Sequence, residues 1–151
     1  MMITNSKDCS TINDLIKVTI DSTDGYRKAA EAADNHSFRT IFLERATERD
    51  AIVDKFQEFV RSLGETPEDD GSLSAGANRM FLKLRDMITG RDDTAVVAEV
   101  ERGEDYIKER FEMARADADL SSQARLMIEQ AYTVIKAGHD QMRDLKHGMT
   151  S

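Results

Sequence analysis

The sequence has no tryptophan, one proline and one cysteine. A single cysteine excludes an intrachain disulfide and leaves a cysteine-ligated zinc or iron–sulfur site short of ligands. Cys9 lies in a polar N-terminal stretch and reads as an incidental thiol, since reactivity needs an activating environment. Apolar runs are short. None approaches the ~20 residues a membrane-spanning helix needs, so no membrane partner is expected. The first ten residues lack the basic start and apolar centre of a signal peptide, and the expected location is cytoplasmic. Positive charge is also scarce, with 21 Lys and Arg against 29 Asp and Glu and a formal net charge of −8. That balance argues against a nucleic-acid partner, because a phosphate-binding surface is basic. There is no glycine-rich phosphate loop, no G-x-S-x-G and no Cys/His pair.

What remains is a helical composition. Ala, Leu, Glu, Arg and Met are good helix formers, and the eight methionines suit an adaptable core. The length of 151 residues fits one domain, large enough to bury roughly 68–70% of its unfolded surface. An all-α domain is expected over 10–147, with 1–9 and 148–151 as loose termini.

The first helix is expected over 11–33, capped by Ser10 or Thr11 with Asp14 in its first turn. Its inward stripe is Ile12, Leu15, Ile16, Thr19, Thr23, Tyr26, Ala30 and Ala33. That stripe is apolar at both ends and polar in the middle, where Asp21 and Asp24 flank it. Gly25 costs up to about 1 kcal/mol relative to alanine in mid-helix, so a close backbone approach is expected there. A second helix spans 38–63, capped by Ser37 and stopped by Gly64. Its apolar face runs from Phe38, Ile41 and Phe42 to Ile52, Phe56, Phe59, Val60 and Leu63, interrupted by Arg45 and Glu48. The short break between the two makes them antiparallel neighbours, with Asp24 and Glu48 at one height.

An acidic, turn-rich loop over 64–72 follows. A shorter helix over 73–88 carries Ala77, Met80, Phe81, Leu84 and Ile88 on one face and ends in a turn over 90–93. A third long helix spans 94–116, capped by Asp92 or Asp93. A fourth begins at Ser121 or Ser122 and runs to about residue 146, giving a second antiparallel hairpin with Glu101 level with His139.

Chemistry enters where polar residues break the apolar stripes. Val97, Val100, Glu104, Ile107 and Phe111 share one helix face, so Glu104 is a carboxylate inside an apolar stripe. Burying such a charge costs several kcal/mol, on the order of the penalties for unpaired ions. Asp24 (or Thr23), Glu48, Glu104 (or Glu101) and His139 form a belt near the middle of the long helices. Two readings stay open. In one, the belt holds iron, manganese or zinc, as carboxylates and imidazoles of helical bundles do. In the other it is a satisfied polar layer, with Glu48 on Arg45, Asp24 on Arg27 or Arg49, and Glu104 on Tyr26, Tyr132, His139 or Arg45. The di-metal pattern Glu-x-x-His is missing, since Glu44 is followed by Thr47 and His139 is preceded by Lys136.

The segments Asp24–Glu31, Phe42–Arg49 and Leu63–Pro67, and above all Glu101-Arg-Gly-Glu-Asp105, resemble a family of uncharacterised bacterial ferritin-like four-helix-bundle proteins, classed as a domain of unknown function. The resemblance implies a ferritin-like bundle of two antiparallel hairpins with an additional shorter crossover helix between them. It implies no particular reaction, although ferritin-like relatives store iron, reduce peroxide or hydroxylate substrates through paired ions. Three functions follow as expectations. The first is a bundle of unassigned activity that binds a metal or serves in stress. The second is a di-iron or di-manganese oxidase or peroxidase with Glu48, Glu101, Glu104 and His139 as ligands. The third is a structural homo-oligomer assembling through Met80, Phe81 and Leu84.

Overall fold

The computed structural model describes residues 2–90 and 92–150, and the side chains of 6–90 and 92–149. Five helices follow one another: α1 (Met2–Ala32), α2 (His36–Ser62), α3 (Ala75–Gly90), α4 (Asp93–Arg115) and α5 (Ser122–Thr150). No strand occurs among the described residues. The expected all-helical class and the order of hairpin, short helix, hairpin are both found.

The starts of α2 and α3 differ from expectation, whereas α4 and α5 each use one of the two caps expected for them. Asn35, not Ser37, caps α2 by accepting a hydrogen bond from Phe38 N. Asp92 caps α4, accepting from Thr94 N and Ala95 N. Ser121 accepts from Ala124 N at 3.1 Å at the start of α5, and Ser74 accepts from Ala77 N at 3.0 Å at the start of α3. Leu73 therefore precedes α3 instead of opening it. It is 90% exposed and left-handed, with φ 56°. Arg91, within the expected turn over 90–93, lies outside the described residues.

Residues 2–9 and 148–150, expected as loose ends, are helical. Asp8 and Cys9 are buried, because α1 extends to the far end of the bundle. There Asp8 accepts from Ser121 N at 3.0 Å, and Lys7 pairs with Asp117. Burial also lifts the Cys9 thiol pKa, with Glu65 and Asp8 adding to it.

Pairings along the helices fix their directions. Ser22 meets Arg49 while Tyr26 meets Phe42, so α1 and α2 are antiparallel. In α4 and α5, Glu101 meets Lys146, Asp105 meets His139 and Glu112 meets Tyr132, again antiparallel. Asp93 accepts from Asp34 N and Asn35 N at 2.7 and 2.9 Å, placing the start of α4 beside the end of α1. Arg45 donates to Gln141, joining α2 to α5. Every neighbouring pair in the four-helix ring is thus antiparallel, while α2 and α4 run the same way. That is possible only because the intervening chain returns along the bundle. Its loop runs up α1, with Glu68 N donating to Asn13 and Ser72 N donating to Asp21, before α3 packs on α1 and α4.

The core is split in two. One apolar cluster gathers Ile12, Ile16, Phe56, Val60, Phe111 and Ile128. The other gathers Tyr26, Phe42, Leu84, Val97, Val100 and Met142. Leu84 is fully buried and Met80 packs on the same cluster, so this part of the α3 face packs within the chain. Among the described residues, no helix is long and apolar enough to cross a membrane.

Candidate functional site

Between the two clusters lies a polar layer, and at its centre is an ion pair. The α2 stripe runs Phe42, Ala46, Arg49, Val53, Phe56 and Val60, all buried. Arg49 thus occupies a position that helical spacing assigns to the core. Its Nη1 donates to Glu104 Oε1 and its Nη2 to Glu104 Oε2, each at 2.8 Å, and Nη1 also donates to Ser22 Oγ at 2.7 Å. Exposure of the two side chains is 0% and 2%. This fork-on-fork geometry satisfies both carboxylate oxygens and is the strong form of an ion pair. Glu104 holds the Arg49 guanidinium pKa above its already high ordinary value, against the effect of burial. The Tyr26 ring lies 5.3 Å from the guanidinium carbon, within cation–π range. Gly138 provides the room. A Cβ there would stand 2.5 Å from Arg49 Nη2 and 3.1 Å from Glu104 Oε2.

The other expected site residues are dispersed. Glu48 is exposed and accepts from Arg45 at 2.6 Å. Glu101 accepts from Lys146 at 3.1 Å rather than meeting His139. His139 places Nε2 2.7 Å from Asp105 Oδ1 and Nδ1 3.2 Å from Asp140 Oδ1. The residue level with His139 is thus Asp105, one helical turn on from Glu101. Asp24 is half-buried. Burial lifts its carboxyl pKa against the pull of Arg27 and Lys28. Thr23 donates to the Thr19 carbonyl and Thr19 to the Leu15 carbonyl, so the polar middle of α1 is satisfied within its own helix.

Among the described residues these donors do not converge as a metal site requires. Glu104, the one candidate in the interior layer, has both oxygens on a guanidinium. That cation occupies the place where a metal would need converging anions. Of the other candidates, Glu48 pairs with Arg45, Glu101 with Lys146, and His139 with Asp105 and Asp140. Among the described residues, no three His, Cys, Asp or Glu side chains are grouped to hold an ion.

What the arrangement does offer is a cavity of about 330 Å³ between α1, α3 and α4. Val18, Met80, Val100 and Ile107 give it apolar walls, Tyr26 and Glu104 line its buried side, and Arg79, Lys83 and Arg102 stand at its exposed side. Two glycines shape it. A Cβ on Gly25 would lie 2.6 Å from Met80 Cε, and one on Gly103 would lie 3.0 Å from Met80 Sδ. The Met80 side chain therefore sits in a groove between α1 and α4 that those glycines open. Arg49 Nε and Tyr26 Oη are buried and make no hydrogen bond of normal geometry among the described residues, with the Tyr26 hydroxyl close enough to Glu104 for the carboxylate to act on it. Burial first, and then the Glu104 carboxylate, push the Tyr26 pKa well above the ordinary phenol value.

Sequence reasoning located Glu104 and the close approach at Gly25 and offered Arg49 as a partner of Asp24, but it missed the pairing of Arg49 with Glu104, the role of Gly138 and the cavity. Arg49 was detectable as the one charged residue at core spacing on α2. The cavity was not, because it depends on where α3 docks.

No curated protein matches the chain. A family profile does, across residues 7–117, from the first turns of α1 to just past α4. The chain therefore belongs to the family described as Domain of unknown function (DUF2383).

Proposed function

We propose that this protein is a ferritin-like bundle that has exchanged a metal centre for an internal salt bridge and acts as a small-molecule binding protein. The parallel α2 and α4, joined by one long crossover, support the ferritin-like reading. The Arg49–Glu104 pair supports the loss of metal chemistry, since a guanidinium takes both oxygens of the one interior carboxylate. The binding role is carried by a single observation, the buried Tyr26 hydroxyl, without a hydrogen bond of normal geometry, beside a cavity of about 330 Å³. An unsatisfied buried polar group costs about 1–3 kcal/mol, and sites that receive ligands are where such a cost is retained.

Two measurements test this reading. Tyr26→Phe removes the unsatisfied hydroxyl and keeps the ring, so it is expected to raise unfolding stability by about 1 kcal/mol in urea titration. The native protein is expected to take up the dye 1-anilinonaphthalene-8-sulfonate with a fluorescence gain that Ala77→Leu, which fills the cavity from α3, abolishes. A loss of stability in Tyr26→Phe, or dye uptake indifferent to Ala77→Leu, would overturn the proposal.

A further inference from the structure

We infer that the cavity takes a small elongated acid: an apolar body with a carboxylate at the mouth and an uncharged oxygen, a hydroxyl or carbonyl, at the buried end. This rests on the binding reading above and adds the ligand's chemistry and direction.

The buried end selects against charge. Tyr26 Oη there makes no hydrogen bond of normal geometry, and its raised pKa keeps it a neutral phenol able to donate or accept. Glu104 lines the same end with both oxygens already bonded to Arg49. An anion pushed to this depth would face the Glu104 carboxylate, and the nearby Arg49, already paired with Glu104, is not among the lining residues, whereas a hydroxyl or carbonyl would complete the Tyr26 hydroxyl. The cavity is also lined by Val18, Met80, Val100 and Ile107, which match a hydrocarbon body.

The mouth has the opposite character. Arg79, Lys83 and Arg102 line it, on a chain whose formal net charge is −8. Glu99 engages two of them, Arg102 at 3.1 Å and Lys83 at 3.8 Å. The mouth's other acid, Asp21, is taken by Ser72 through both its backbone N–H and its hydroxyl. Arg79 is exposed and forms no ion pair among the described residues, and a guanidinium is the side chain suited to a carboxylate. The volume of about 330 Å³ lies at the low end of small-molecule sites, about 300–1,000 Å³, too small for a large cofactor.

The test uses the full chain and three probes at submicellar concentration: 10-hydroxydecanoate, decanoate and 1,10-decanediol, titrated calorimetrically. The hydroxy acid should bind tightest. Decanoate should be weaker by about fivefold, the worth of one net hydrogen bond, and Tyr26→Phe should erase that difference. Arg79→Gln should erase the advantage of the acids over the diol. Ala77→Leu should abolish binding of all three, with Met80→Phe as the filling variant if Ala77→Leu does not fold. A diol that equals or exceeds the acids, with binding still lost on filling, would overturn the anionic class while leaving the cavity reading intact. Uptake of the dye but of no probe would overturn the hydroxy-acid ligand while leaving the cavity reading intact. Probe binding indifferent to filling, or no uptake of probe or dye, would overturn both.

Discussion

At the scale of single residues, the Arg49–Glu104 pair dominates. Breaking a buried pair by removing one partner leaves an uncompensated charge and costs about 3–5 kcal/mol, while replacing both with apolar groups is often neutral. Glu104→Gln or Arg49→Met alone is therefore expected to lower unfolding stability by about that amount in urea titration. The double variant Arg49→Met/Glu104→Leu should recover most of the loss. Additive losses in the double variant would show that the pair itself is not what each single change breaks. Asp21 adds a pH signature. Burial raises its carboxyl pKa above the ordinary value of 3.8, partly offset by the Ser72 hydrogen bonds. A raised folded-state pKa favours the folded protein in the protonated form. That contribution is complete below the unfolded aspartate pKa and is lost as pH rises through the folded one. Asp21→Asn should thus show a flatter stability profile across this window and gain on the native protein above it. Parallel profiles would contradict the assignment.

At the scale of helices, two glycines make opposite predictions from similar crowding. In Gly25→Ala the new Cβ meets Met80 Cε at 2.6 Å, the free end of a flexible thioether. Met80 can turn aside into the cavity, and the helix gains up to about 1 kcal/mol of propensity. The expected change is between neutral and slightly stabilising. In Gly138→Ala the Cβ meets Arg49 Nη2 at 2.5 Å, and that nitrogen is fixed by its bond to Glu104. The propensity gain is the same, but the ion pair must distort, so a net loss of about 2 kcal/mol is expected, between a partial and a full break of the pair. Thermal melting of the two variants decides it. Equal shifts would mean that helix propensity, not the pair, governs position 138. The stripes themselves were legible. All eight inward positions assigned to α1 are buried, because helical period alone fixes which residues share a face. The belt was less so. Helical wheels put Arg45 and Glu48 near the stripe of α2, yet Arg49 is the residue inside and those two pair near the surface.

For the whole molecule, the question is whether the polar layer binds metal. A metal that bound only the folded state at 100 times its dissociation constant would add about 2.7 kcal/mol of stability. Anaerobic Fe(II) or Mn(II) is expected to leave the unfolding midpoint of this protein unchanged. Elemental analysis of protein purified without a metal-affinity tag should find less than one ion per chain. Two ions per chain, lost on Glu104→Gln, would restore the oxidase or peroxidase reading. The α3 crossover is the other feature of this scale. It covers one side of the bundle, closes the cavity and buries Leu84, yet in sequence it is only a short amphipathic helix.

The sequence by itself determined the helical class, the hairpin order, the inward faces and the presence of an acid where the core should be apolar. Those follow from short-range geometry: composition, period and turn length. Only the tertiary structure decided what the acid meets. Partner choice across helices depends on axial register, and an error of one turn, about 5.4 Å, exchanges one neighbour for another. Such a shift put Asp105 rather than Glu101 beside His139. The choice of Arg49 for Glu104 likewise depended on a glycine three helices away in the chain, Gly138, leaving space for both side chains. Glu104 was conspicuous in the sequence as a carboxylate without a place; the fold supplies the place as a salt bridge that separates the two halves of the core.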